Sequence, residues 1–197
     1  MVRFTHPTAP GLWISLGIVC LALLAGCTET QKPRPRGFPR MELPVHAYQR
    51  FDTVTCPFTF EYPLYGRLVA DPKHPCYYDI VFDRQGCRWH ITLRDFRREK
   101  SDYYAAMEDY RQVVYKHTRK GNVLERELET PHGQGRFYTL YGEVPEPASF
   151  YFSDTLRYAL IASIYFNTGN ANDSLQPAIR HLTTDLEHMV ATLRFKR

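Results

Sequence analysis

The chain has 197 residues and a formal net charge of +4, from 25 Lys and Arg against 21 Asp and Glu. That balance is too mild for a nucleic-acid binder, which concentrates basic residues on one face, so no nucleic-acid partner is expected. Aromatics are plentiful, with 14 Tyr and 12 Phe, many alternating in short runs that suit a pleated, half-buried surface.

The chain opens with an export signal. Arg3 precedes an apolar run from Leu12 to Leu24, interrupted by Ser15 and Gly17, and the run ends at Leu24-Ala25-Gly26-Cys27. A basic start, an apolar stretch and a small-residue cleavage site make a secretory signal. The stretch is shorter than the ~20 apolar residues of a spanning helix. Small residues followed directly by Cys look like a bacterial lipobox, in which the Cys thiol is diacylated, the signal is cut before it and the new amine is acylated. Residues 1–26 are therefore expected to be a lipoprotein signal peptide, and Cys27 the lipid attachment site. Acyl chains at ~0.8 kcal/mol per buried methylene would then hold the protein to a membrane. Residues 27–40 are polar, basic and Pro-rich, a semi-rigid tether of ~3 Å per residue where polyproline-like. Lys32, Arg34, Arg36 and Arg40 offer charge to acidic headgroups, although a plain spacer explains them as well. Residues 41–197 are expected to form one domain, a size able to bury a core.

Phe58-Thr59-Phe60-Glu61-Tyr62 alternates as a strand and ends at Pro63. Gly66 to Ala70 is a second short strand. The clearest hairpin runs from Cys76 to Phe82, through Asp83-Arg84-Gln85-Gly86, to Cys87 to Leu93. Closing it on Arg84-Gln85 pairs Phe82 with Cys87. Ile80, Phe82, Cys87, Trp89 and Ile91 then share one face, the expected core face, with Tyr78 and Leu93. Of the five Cys, Cys20 leaves with the signal and Cys27 is lipidated. The register sets Cys76 across from Leu93, too far from Cys87 for a bridge. The expected disulfide is Cys56–Cys76, with Cys87 a buried free thiol.

Ser101 is an N-cap for a helix running to about Arg119, with Tyr103, Met107, Tyr110 and Val114 at helical spacing. Four strands follow: Asn122 to Glu129, Arg136 to Val144, Ser149 to Asp154 and Arg157 to Phe166. The first turn among them is placed at Gly133-Gln134-Gly135. Asp173 or Ser174 caps a last helix, whose Leu175, Ile179, Leu182, Leu186, Met189 and Leu193 form an apolar stripe that needs a sheet to cover. The order ββββ-α-ββββ-α predicts an α+β fold. It has an antiparallel sheet of about six to eight strands against two main helices, a two-layer sandwich. This order resembles the PsbP/Mog1-type fold, a likeness that transfers no activity.

The chain carries no Gly-x-Ser-x-Gly elbow, phosphate-binding glycine loop, His-Glu-x-x-His or Cys-x-x-Cys. No catalytic residue, cofactor or metal is therefore expected. His181, Asp185 and His188 lie on one side of the last helix at cation-sharing spacing. One helix rarely completes a metal shell, so a solvated helix flank is the expectation. Cys87 and His90 fall on opposite faces of their strand and make no nucleophile and base. Asp79 and His90 lie nearly abreast on the face opposite the core, a surface pair.

One ordered set of stretches is more specific. It runs Lys32-Pro33-Arg34-Pro35-Arg36-Gly37-Phe38-Pro39-Arg40, Leu43-Pro44, Tyr48-Gln49-Arg50-Phe51-Asp52, Cys56-Pro57-Phe58-Thr59-Phe60-Glu61-Tyr62-Pro63 and Pro75-Cys76-Tyr77-Tyr78-Asp79-Ile80. Together with the lipobox it resembles the gliding-motility lipoproteins of the GldD type, found in Bacteroidetes. The resemblance implies a lipid-anchored envelope protein required for gliding and linked to the type IX machinery that exports surface adhesins. It implies no catalysis, and only Cys27 transfers by role. The partners expected are the membrane, through the lipid on Cys27, and other gliding or secretion envelope proteins. Thr28-Glu29-Thr30 lacks the acidic run of a surface-export signal, so the domain is expected to face the periplasm. The competing expectation is an envelope enzyme or ligand carrier with a pocket between sheet and helices.

Overall fold

The computed structural model describes residues 41, 43–99, 102–116, 121–142, 144–155, 157–167 and 175–196. The signal, the tether, Cys27 and the helix caps sought at Ser101 and at Asp173 or Ser174 lie outside the described residues.

The elements run β1 (Tyr48–Asp52), β2 (Phe58–Pro63), β3 (Arg67–Ala70), β4 (Tyr78–Phe82), β5 (Cys87–Asp95), α1 (Phe96–Glu99) and α2 (Tyr103–Lys116). They continue with β6 (Gly121–Thr130), β7 (Gly133–Gly142), β8 (Ala148–Ser153), β9 (Tyr158–Phe166), α3 (Gln176–Thr192) and β10 (Arg194–Phe195). The fold is α+β with antiparallel sheets, as the element order predicts. A seven-stranded sheet has the order β3-β4-β5-β9-β8-β7-β6, and a three-stranded sheet the order β1-β2-β10.

The β4–β5 hairpin takes the expected register, with Phe82 opposite Cys87 and Ile80 opposite Trp89. Alternation then buries Ile80, Phe82, Cys87, Trp89 and Ile91 on one face. On the other face, Asp79 pairs with His90 across the ladder, and His90 Nδ1 lies 2.7 Å from Asp79 Oδ1 in an exposed hydrogen bond.

The two long helices fall on opposite faces of the large sheet. On one face of this sheet, Phe137, Phe150, Phe152, Leu160, Ala162 and Ile164 join the core under α3 and the small sheet. On the other face, Tyr138, Leu140, Tyr151 and Ala159 join the cluster under α2. A sheet apolar on both faces needs a cover on each.

Every residue of the α3 stripe, Leu175, Ile179, Leu182, Leu186, Met189 and Leu193, is buried. The helix packs on β2 and β8. The stripe runs past the helix into a short strand. Leu193 is extended, at ψ 129, and Arg194 and Phe195 pair with Thr59 and Phe58 of β2. Asp102, one residue after the expected cap of α2, accepts a hydrogen bond from the Ala105 amide at 2.9 Å.

Gly133-Gln134-Gly135 is not the turn; it begins β7, and the chain reverses between Thr130 and Gly133. The glycines serve a close approach. A Cβ on Gly135 would run into the Tyr151 carbonyl oxygen, and one on Gly133 into that of Ser153.

Candidate functional site

The densest polar constellation among the described residues lies where α3 meets the start of the small sheet. Its centre is Asp185, whose side chain is fully buried. On the helical wheel Asp185 borders the apolar stripe, three residues after Leu182 and four before Met189. A helix on a bare sheet would leave that border wet. Here β1 and the segments flanking it close over it, so the expected solvated flank is corrected to a buried one.

A buried carboxylate is costly unless donors satisfy it. Asp185 has three. His46 Nδ1, just before β1, donates to Oδ1 at 2.6 Å, and the Tyr48 hydroxyl of β1 donates to the same oxygen at 2.9 Å. The Tyr65 hydroxyl, between β2 and β3, donates to Oδ2. These occupy three of the roughly four acceptor positions a carboxylate offers. Burial first, and then the hydrogen bond to Asp185, pushes the Tyr48 phenol up to about 12 and the Tyr65 phenol further still. Both hydroxyls therefore keep their protons as donors.

His181 lies one helical turn before Asp185, with Nε2 4.0 Å from Asp185 Oδ2. Its ring stacks on His46 with centroids 4.1 Å apart. Burial first, and then the neighbouring His46, lowers its pKa and favours the neutral ring. His181 Nε2 is buried and has no hydrogen-bond partner. His188, one turn further along α3, turns away from this centre. It bonds Glu61 of β2 at 2.7 Å and stacks on Tyr48 with centroids 3.5 Å apart. The trio read along the helix thus splits. His181 and Asp185 stay together, while His188 joins a neighbouring pair. His46, Tyr48 and Tyr65 carry no local signal that points to this site, because they sit 120 to 139 residues from Asp185 in the chain.

The thiols lie elsewhere. Cys56 and Cys76 form a disulfide with Cα atoms 5.5 Å apart. Cys87 is a buried free thiol, and burial pushes its pKa up, which makes it a poor nucleophile. Two open clefts also lie away from the polar centre. One, of about 590 Å³, runs between α2 and the β6–β7 hairpin past Tyr104, Glu108, Arg111 and Arg136. The other, of about 920 Å³, lies beside the disulfide and is lined by Val54, Thr130, His132, Arg157 and Lys196. Among the described residues no helix is long and apolar enough to cross a membrane.

The family model described as "Gliding motility lipoprotein GldD" matches residues 28–195. No curated protein matches the chain. Among solved structures, the Saccharomyces cerevisiae Ran-binding protein Mog1p aligns with a TM-score of 0.50 at 10% identity, covering 76% of this chain and 96% of that one. The cyanobacterial PsbP (CyanoP) of Synechocystis sp. PCC 6803 aligns with a TM-score of 0.46 at 7% identity, covering 80% and 97%. At such identity the likeness to Mog1p shows the fold alone.

Proposed function

The chain belongs to the gliding motility lipoprotein GldD family, and from that premise we propose that it is a non-catalytic accessory or assembly component of the gliding apparatus and its type IX secretion machinery. In this reading residues 1–26 are the signal peptide, Cys27 carries the acyl chains, residues 27–40 are the tether, and one domain over residues 41–197 faces the periplasm of a member of the Bacteroidetes. It works by holding other envelope proteins rather than by turning over a substrate.

The observation that carries this reading is the extent of the family match, which begins one residue after the lipobox Cys and runs to Phe195. The chemistry of the described residues agrees with it. The best-placed carboxylate, Asp185, is held by three donors, and the buried Cys87 thiol has a raised pKa.

The test compares wild-type cells with cells carrying Cys27→Ala, by labelled palmitate, crosslinked recovery of the chain from envelopes, and gliding or export of adhesins. Wild type is expected to take up label and to bring down a fixed set of envelope proteins. Cys27→Ala is expected to remain as unlabelled precursor, to lose those partners and to fail in export. Equal labelling would remove the anchor, and recovery of wild-type chain with no partner would remove the accessory role.

A further inference from the structure

We propose that His46, His181 and Asp185 form a binding site for a divalent transition cation of the Zn²⁺ class, clasping the segment before β1 onto α3. Their candidate ligand atoms lie within 4.8 Å of one another. Two imidazoles and a carboxylate are a donor set such a cation accepts, with a further position left for water.

Three observations converge on the site. The first is the buried, unpartnered Nε2 of His181. Buried polar atoms in folded proteins almost always find a partner, and a cation is one that an imidazole nitrogen can take. The second is the surroundings of Asp185. Hydroxyls from Tyr48 and Tyr65 orient the carboxylate from two sides, as outer partners do for metal-bound carboxylates. The third is asymmetric access. Asp185 is fully buried and the His181 side chain is 11% exposed, whereas that of His46 is 39% exposed. Two ligands are therefore fixed on a rigid helix, and the third sits at the rim, where an ion can arrive.

The geometry sets what loading requires. A tetrahedral cation bonded at ~2.1 Å to each atom sets those atoms ~3.4 Å apart. The set must therefore draw in by about an ångström, and the exposed ring of His46 must swing off its stack on His181 so that both nitrogens aim at the ion. The ion would take the place of the proton that His46 Nδ1 donates to Asp185; a neutral ring would then carry its proton on Nε2, by exchange through solvent, and an imidazolium would release one proton to solvent.

Full-length protein in detergent is titrated with Zn²⁺ alone and then with Co²⁺, followed by calorimetry, melting temperature and the visible Co²⁺ spectrum. Wild type is expected to bind one ion, melt at a higher temperature with Zn²⁺, and give Co²⁺ bands of low coordination number. His46→Ala, which removes a partly exposed side chain and is expected to fold, should weaken binding at least a hundredfold and abolish the melting shift. His74→Ala, at an exposed histidine in another loop, should bind as wild type does. An unchanged wild-type melting temperature in excess Zn²⁺, or equal binding by wild type and His46→Ala, would overturn the site. Neither result bears on partner capture by the lipidated chain.

Discussion

The two faces of the seven-stranded sheet are covered in different ways. On one, α3 buries seven of its seventeen residues and the three-stranded sheet completes the cover. On the other, α2 buries only Met107 and Val114 of its fourteen, and leaves Tyr104 74% exposed. What α2 lacks in apolar contact it makes up at its rim. Arg111 and Tyr115 of α2 and Arg136 of β7 all donate to the Glu125 carboxylate of β6. The α3 face is held mainly by apolar burial, with the Asp185 cluster confined to one edge. The α2 face leans on an ionic hub.

The strongest test of this contrast is on α3. Leu186→Ala deletes a fully buried side chain and is expected to destabilise by ~2–5 kcal/mol, a large share of the ~5–15 kcal/mol that holds a domain together. Urea unfolding measures it. Unchanged stability with lost partner capture would mean that the stripe is an interface. Next comes the bridge that ties the loop after β1 to the turn before β4. Reducing Cys56–Cys76, which closes a separation of 20 residues, is expected to cost ~3 kcal/mol in the chain-entropy model. Cys56→Ser with Cys76→Ser should show it as a lower urea midpoint. A non-reduced digest containing a Cys76–Cys87 peptide would contradict the hairpin register.

The smallest effect separates the faces by pH. Burial raises the Glu125 pKa, but hydrogen bonds and charge from Arg136, Tyr115 and Arg111 outweigh that and hold it below the ordinary value. A depressed carboxyl contributes stability above its unfolded pKa, about 4.3 for Glu, and that contribution is lost as pH falls through the folded value. Hydrogen exchange should therefore show the α2 amides holding their protection from neutral pH down to about pH 5 and losing it as pH falls below the unfolded value of about 4.3 toward the folded one, by more than any loss at the apolar face of α3. In Glu125→Gln the α2 protection should already be low at neutral pH and nearly flat with pH. Equal pH profiles for the two helices would dissolve the comparison.

The same contrast explains what could be read from the sequence. The α3 stripe and the β4–β5 register are local patterns, at periods of 3.6 and 2, and the structure keeps both. β1 and β10 have no such pattern. Tyr48-Gln49-Arg50-Phe51-Asp52 buries only Phe51, and Arg194–Phe195 is two residues long. Each is a strand because β2 lies beside it, which is a tertiary fact. Asp185 was legible as a neighbour of His181 but not as a buried group, since its three donors come from distant parts of the chain. No helical wheel shows that a second sheet will close over the flank. His46 could be found only once the fold had brought it there.

β2 sits at the centre of the small sheet, with β1 a few residues before it and β10 at the far end of the chain. The Lys196 amide donates to the Pro57 carbonyl at 2.8 Å, and the Lys196 ammonium reaches Asp52 at 2.7 Å. The three-stranded sheet over the α3 core is therefore complete only when residues 194–196 are docked beside β2. Without that short segment, one edge of β2 would present unpaired backbone groups over the core.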